Sequence, residues 1–200
     1  MEEGTMKGEL LPAFKKELAM LFAIQGTQEP EFRWLADPPG KSVAQAYAEE
    51  NPPQGTGRDR IVPVFYAEIP RPPAKRKSYD LVKSLLSQFG DPDALKREEG
   101  LKKVYRLEHL LKSSQVQVAL LADFHYLIVD EVEWLVSIFK SQIKTVPLIA
   151  VGEPTAMESL TRANGSLARR FHRLRLPGEP PEEENPQARA ALRRMLGLDA

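Results

Sequence analysis

Gly40, Lys41 and Ser42 stand side by side in a polar turn between two apolar segments. The segment before them, 32–36, has the composition of a short buried strand, and the segment after them, 43–50, has the pattern of a helix. Backbone N–H groups at a helix N-terminus bind anions, a lysine adds a positive charge and a serine hydroxyl can ligate magnesium. The spacing therefore predicts a phosphate site in which all three residues contact a nucleotide and Ser42 also holds Mg²⁺.

Two acidic positions could supply a further ligand for that metal. Asp123 follows the apolar run 118–122, which is typical of a strand buried on both faces, and ligands bind at the carboxyl ends of such strands. Asp130 and Glu131 follow another apolar run and form the alternative pair. Because the apolar residues after Asp130 recur at helical spacing, we place Asp123 at a strand end and Asp130 at a helix N-cap. Both aspartates stay candidate metal ligands, and Glu131 stays a candidate catalytic residue.

Strands and helices alternate along the rest of the sequence. We expect helices between five strands, which lie at 32–36, 61–69, 116–122, 146–151 and 172–176. Strict alternation predicts parallel strands joined by right-handed crossovers, with helices on both faces of the sheet. The expected fold class is therefore α/β, with a three-layer αβα core around a five-stranded parallel sheet.

Composition bounds the class of protein and its organisation. The 200 residues carry 28 basic and 28 acidic side chains, so net charge favours no partner class, and the absence of cysteine excludes disulfide frameworks and thiolate metal sites. The first residues are acidic and lack a long apolar run, so we expect no signal peptide, no membrane span and a cytoplasmic protein. We divide the chain into an N-terminal helix (1–30), the α/β core (31–177) and a Pro/Glu linker with a short helix (178–200).

Four segments form an ordered set of motifs: ADPPGKSVAQAYAEEN (36–51), VPVFYAEIPRPP (62–73), ALLADFHYL (119–127) and VPLIAVGEPTAMESL (146–160), the last followed by RRF (169–171). In this order they resemble the phosphate loop, the second strand with its Pro-rich exit, the IIDEAHRL strand, and the fourth strand with its RF-containing turn of AAA+ ATPases of the TniB/TnsC type. These proteins are nucleotide-dependent regulators of DNA transposition. The resemblance covers about 32–177 and implies an AAA+ P-loop NTPase core.

The resemblance also implies roles for residues near the nucleotide. Asp123 would support Mg²⁺. Thr155, after the fourth strand, would be the polar residue that senses the nucleotide, and its alternative role is to cap the next helix. Arg170, or as second choice Arg169, would be the arginine finger that reaches the nucleotide of a neighbouring subunit, and the alternative for both is a solvated turn.

Partners and cofactors follow from the same resemblance. Lys75, Arg76 and Lys77 come after the second strand, where the resemblance implies contact with the backbone of double-stranded DNA, and the alternative is a solvated loop. The implied cofactors are ATP and Mg²⁺. The implied partners are DNA, a transposase and other transposition proteins, and further copies of the chain in a homo-oligomer or filament.

Three departures from the family pattern fall on the nucleotide site. The loop before Lys41 is about two residues short, Phe124 stands where the family has the Glu that orients water, and the helical lid after the fifth strand is reduced to a linker and one short helix. We therefore expect weak binding of ATP and Mg²⁺ and reduced or absent hydrolysis, with the assembly role kept. Two alternatives stay open: an active ATPase that uses Lys41 with Asp130 and Glu131, and an interaction module that binds no nucleotide.

Overall fold

The computed structural model describes residues 3–24, 32–56, 59–71, 78–97, 99–140, 146–163 and 171–177. The helices are α1 (Glu3–Ile24), α2 (Gly40–Glu50), α3 (Ser78–Phe89), α4 (Gly100–Ser113), α5 (Val129–Ile138) and α6 (Pro154–Ala163). The strands are β1 (Phe32–Ala36), β2 (Val64–Glu68), β3 (Val118–Ala122), β4 (Leu148–Gly152) and β5 (Phe171–Arg173). No helix in these ranges is long and apolar enough to cross a membrane. The predicted linker and short helix at 178–200 lie outside the described residues.

The strands form one five-stranded parallel sheet in the order β2-β3-β4-β1-β5, as the alternation predicts. β2 starts later than expected, after Pro63, because proline has no N–H to donate to a neighbouring strand. The register aligns the carboxyl ends of the strands, since Ala36 pairs with Gly152 and Glu68 pairs with Ala122. Residues that follow these ends therefore meet at one edge of the sheet.

Helices cover both faces of the sheet and complete the predicted three layers. On one face α1 and α2 pack together, with the rings of Phe14 and Tyr47 in edge-to-face contact at 5.6 Å. On the other face lie α3, α4, α5 and α6. Side chains of β3 alternate between the two cores, Leu120 on the α1–α2 face and Leu121 on the opposite face, and both are fully buried. The sheet is therefore the central layer of the described core.

The helices that follow β1 and β4 leave the sheet on opposite faces. α2 connects β1 towards β2, and α6 connects β4 past β1 to β5, so the carboxyl ends of β1 and β4 form a topological switch point. α2 starts in close contact with both strands, because a Cβ at Gly40 would lie 3.0 Å from Leu35 Cβ and 3.0 Å from Val151 Cγ1. A side chain at this position would displace Leu35 or Val151 by a few tenths of an ångström, so glycine at the first residue of α2 favours this close packing.

One helix start differs from the sequence prediction. α5 begins at Val129 with Ile128 as its N-cap, so Asp130 lies in the first turn, and the expectation that Asp130 is the N-cap is wrong. The carboxylate of Glu131 instead accepts the N–H of Ile128 at 3.2 Å. A glutamate three residues into the helix can satisfy the N–H of the N-cap residue in this way.

Candidate functional site

The ammonium group of Lys41 lies at the carboxyl edge of the sheet. Lys41 is in the first turn of α2, and its Nζ donates to Asp123 Oδ2 at 2.7 Å and lies 3.2 Å from Glu68 Oε1. Asp123 follows β3 and Glu68 ends β2, so the register of these two strands brings both carboxylates to the lysine. Of the two aspartates that the sequence offers as candidate metal ligands, Asp123 is the one that contacts Lys41.

Asp37 occupies the N-terminus of α2. Residues 37–39 form the turn between β1 and α2, and Asp37 Oδ1 accepts the backbone N–H of Lys41 at 3.1 Å. In a phosphate loop the N–H groups at this place bind the phosphate. Here a carboxylate of the chain itself takes the position of the external anion.

Acids outnumber bases around the first turn of α2. Burial by itself lowers the pKa of Lys41, but the hydrogen bonds and negative charges of Asp123 and Glu68 outweigh this effect and raise the pKa above its ordinary value. Lys41 is therefore a stable cation whose charge is already balanced by the chain. Together with Asp37, the cluster has an excess of negative charge that repels further anions.

Tyr66 adds a phenol to this cluster. Its hydroxyl donates to Glu68 Oε1 at 3.1 Å, and burial, followed by the charges of Glu68, Asp123 and Asp37, raises the pKa of Tyr66. The motifs in the sequence do not predict Tyr66, Glu68 or Asp37 as site residues. One signal was available, since Glu68 ends the strand before Asp123 and consecutive parallel strands often lie side by side.

The residue after Asp123 points into the core. Asp123 has a φ of 57°, in the left-handed region, and precedes a 3-10 turn at Phe124–Tyr126. Phe124 is fully buried, and its ring centroid lies 5.7 Å from that of Phe171. Position 124 therefore serves packing of the sheet against its helices and does not face Lys41.

Glu153, beside the expected sensor position, caps α6. Its carboxylate accepts the N–H groups of Ala156 at 2.7 Å and Thr155 at 3.0 Å, and these bonds hold the pKa of Glu153 below its ordinary value. The N–H of Glu153 donates to His125 Nδ1 at 3.3 Å, which connects the ends of β3 and β4. Thr155 itself is exposed in the first turn of α6.

The other residues that the sequence suggests as site residues lie in the first turns of α2 and α5 or outside the described residues. Ser42 is exposed in the first turn of α2 beside Lys41, whereas Asp130 is exposed and Glu131 is buried in the first turn of α5. Within the described ranges, no group of three or more His, Asp or Glu side chains is arranged to hold a metal ion. Lys75, Arg76, Lys77, Arg169 and Arg170 lie outside the described residues.

The site as arranged does not fit a bound triphosphate and its magnesium ion. The N–H of Lys41 and its ammonium group both have carboxylate partners, and a phosphate would have to displace them. Gly40 is packed against the sheet and Phe124 faces the core, so neither provides room or chemistry for the nucleotide.

Comparison with known protein families shows to which family this chain belongs. The family described as "Bacterial TniB protein" matches residues 18–179. The chain belongs to the TniB family. The match includes α2, all five strands and the Lys41 cluster, so the family relationship extends to the edge of the sheet where the departures lie. No curated protein matches the sequence of this TniB-family chain.

The α/β fold of the TniB-family chain is similar to that of solved ORC structures. Drosophila ORC bound to poly(dA/dT) DNA and Cdc6 is similar, with a TM-score of 0.53, 12% identity and coverage of 86% of this chain and 29% of that chain. Drosophila ORC bound to GC-rich DNA and Cdc6 has a TM-score of 0.52, 10% identity and the same coverages of 86% and 29%. The Aeropyrum pernix ORC2 protein (ADPNP-ADP complexes) has a TM-score of 0.48, 13% identity and coverages of 80% and 47%. The chain thus spans less than half the length of each of these proteins.

Proposed function

We propose that this TniB-family protein is an AAA+ regulator of DNA transposition that assembles on double-stranded DNA as an oligomer or filament. It recruits or activates a transposase, and its own ATP hydrolysis is reduced or absent. Family membership supports the role in transposition. The Drosophila ORC structures of the same fold were determined with DNA, which supports DNA as a partner.

One observation carries the reduced ATPase activity: Lys41 is bonded to Asp123 and Glu68 while Asp37 holds its backbone N–H. Opposite unit charges about 4 Å apart attract by about 4 kcal/mol at an effective dielectric constant near 20, and like charges repel by as much. An incoming phosphate would have to break the attraction between Lys41 and its carboxylates, and it would also be repelled by those carboxylates. Phe124 stands where the family pattern has the glutamate that orients water, and its buried ring cannot take that role.

The test measures binding of a fluorescent ATP analogue with Mg²⁺, and ATP turnover, each with and without duplex DNA. We expect DNA binding that weakens as salt rises, and no turnover above that of Lys41→Ala. Lys112→Ala is the matched control, because Lys112 is an exposed lysine paired with Glu108 on α4. The Lys75→Glu, Arg76→Glu, Lys77→Glu triple variant should lose affinity for DNA.

Other outcomes distinguish the alternatives. Turnover that disappears in both Lys41→Ala and Glu131→Gln, but not in Lys112→Ala, would establish an active ATPase and contradict the reduced hydrolysis. Absence of binding to both ATP and DNA would leave an interaction module and contradict the proposed assembly on DNA.

A further inference from the structure

A basic pocket lies between α3, α4 and the loop that joins them. Its cavity of about 320 Å³ is lined by four cations, Lys83, Lys96, Arg97 and Lys103, and by one acid, Asp80. This volume is near the lower end of the range of about 300–1,000 Å³ for small-molecule sites. The pocket lies on the α3–α4 side of the core, and its lining includes none of the residues that contact Lys41.

Lys103 is the deepest cation of this pocket and has no carboxylate partner within the described ranges. The residue is only 7% exposed, and its Nζ donates to the carbonyl oxygen of Ala94 at 3.1 Å. Lysine is rarely buried to this extent unless its charge is paired. A carbonyl satisfies one donor of the ammonium group, which leaves its charge unbalanced.

The other cations leave most of their charge available. Lys96 pairs with Asp93 at 2.6 Å, whereas Lys83 and Arg97 make no ion pair within the described part of the chain. Gly100, the first residue of α4, also lines the pocket, and no side chain caps that helix end. The N-terminus of a helix carries partial positive charge, so backbone and side chains act in the same direction.

The loop that carries two of these cations is held in place. Arg106 of α4 donates to Asp91 Oδ2 at 3.3 Å and to the carbonyl oxygen of Asp93 at 3.2 Å, on the same loop that Lys103 binds through Ala94. A cavity whose walls are fixed by such bonds loses little entropy when an anion enters. The pocket is therefore formed before any ligand binds.

We propose that the pocket between α3 and α4 is a phosphate-binding site in which Lys83, Arg97 and Lys103 contact the phosphate oxygens. Arginine can bind two of these oxygens at once, and the lysines add point charges. The phosphate comes from the backbone of duplex DNA or from a free phosphate, and the experiment distinguishes the two sources. The inference does not depend on the proposed function, since either source satisfies the site.

The experiment uses the full chain with fluorescein-labelled duplex DNA, followed by anisotropy at several salt concentrations, and with inorganic phosphate, followed by calorimetry. The Lys83→Gln, Arg97→Gln double variant removes the charges of one half-buried and one exposed side chain, and Lys103→Met removes the buried charge. Lys102→Gln is the control, because Lys102 has the same charge in the neighbouring position of α4 but does not line the pocket. Thermal unfolding checks that each variant folds, and the double variant alone decides the result if Lys103→Met does not fold.

If the site binds DNA backbone, the double variant loses roughly tenfold in DNA affinity and its salt slope falls by about two, while the control stays within about twofold. If the source is free phosphate, calorimetry shows binding that the double variant abolishes and DNA affinity does not change. Either result supports the site. Equal effects of the control and the double variant, or no change with either ligand, would overturn it.

The same data separate this site from the proposed function. Loss of DNA binding in the Lys75, Arg76, Lys77 variant with none in the pocket variants retains the proposed function and rejects the pocket. Phosphate binding in the pocket by a protein with no affinity for DNA retains the pocket as a phosphate site and rejects the proposed function.

Discussion

Two lysines at the starts of two helices have opposite electrostatic surroundings. Lys41 of α2 has a carboxylate on its ammonium group at 2.7 Å, a second at 3.2 Å, and a third on its backbone N–H. Lys103 of α4 is more deeply buried, and its ammonium group contacts a carbonyl oxygen. The positive charge of Lys41, where the family resemblance implies a phosphate, is thus balanced by carboxylates. The positive charge of Lys103, where the sequence has no motif, is not balanced by a carboxylate of the described residues.

The comparison shows that a phosphate-loop lysine does not by itself identify an anion site. What matters is whether the fold brings other carboxylates to the same place. At the Lys41 cluster the aligned ends of β2 and β3 bring two acids together, and the three-residue turn at 37–39 brings the third. At the α3–α4 pocket the only lining acid is Asp80 among the described residues.

The largest expected effect tests whether the Lys41 cluster can be restored to a hydrolytic site by one substitution. Phe124→Glu introduces the acid that the family pattern has after Asp123, but it buries a carboxylate and removes a fully buried ring. We expect a loss of unfolding free energy of about 3–5 kcal/mol or more, and no gain in ATP turnover. Urea unfolding and an ATPase assay measure the two results.

Tyr105→Glu is the control for that substitution, because Tyr105 is an aromatic residue that is 58% exposed on α4. It should change stability by no more than about 0.5 kcal/mol. A stable Phe124→Glu protein that hydrolyses ATP would show that position 124 can face the nucleotide.

The next effect compares the two lysines directly by replacing each with methionine. Lys41→Met leaves Asp123 and Glu68 without their cation and should cost about 1–2 kcal/mol of unfolding free energy. Lys103→Met loses one hydrogen bond but also removes a buried unpaired charge, so we expect a change below about 1 kcal/mol. Equal losses in the two variants would contradict the difference between the sites.

The dependence on pH sharpens this result. Because the pKa of Lys41 is raised in the folded protein, its contribution is fully present below the ordinary lysine pKa of 10.5 and is lost as pH rises through the folded pKa. The stability difference between wild type and Lys41→Met should therefore shrink at alkaline pH. A difference that stays constant up to pH values well above 10.5 would mean that the ion pairs do not stabilise the fold.

Much of the fold follows from local patterns in the sequence. The apolar runs at β3 and β4 and the alternation of strands and helices predict a five-stranded parallel sheet, and the ending of β3 at Ala122 places Asp123 at its edge. These features depend on residues that are close in sequence, so periodicity detects them.

The contacts of the candidate site depend on strand order and on the direction of individual side chains. Glu68 meets Lys41 only because β2 lies beside β3, and Phe124 faces the core because Asp123 adopts a left-handed conformation. The basic pocket combines residues from α3, the following loop and α4, and the spacing of Lys83 and Lys103 alone gives no sign that they meet. Such contacts between distant segments leave no short-range pattern.

A smaller effect is expected when the internal anion at α2 is removed. Asp37→Ala frees the N–H of Lys41, which should lower the unfolding free energy by about 1 kcal/mol, as loss of a helix cap does. The same change removes a negative charge from the cluster, so affinity for the fluorescent ATP analogue should rise. Glu49→Ala, an exposed acid near the end of the same helix, is the control. Unchanged or weaker binding in Asp37→Ala would show that Asp37 does not block the helix N-terminus.

The smallest effect concerns α6, where Glu153 provides an exposed internal anion at a helix start. Glu153→Ala removes the bonds to Thr155 and Ala156 and should lower the melting temperature slightly at neutral pH, whereas Glu9→Ala, an exposed acid on α1, should not. The pKa of Glu153 is lowered in the folded protein, so its contribution is present above the ordinary glutamate pKa of 4.5 and is lost as pH falls through the folded pKa. The melting difference between wild type and Glu153→Ala should therefore disappear in acid. A melting difference that persists in acid would mean that the effect comes from a contact other than the two charge-assisted bonds. In that case α6 would not be stabilised by a carboxylate at its N-terminus as α2 is.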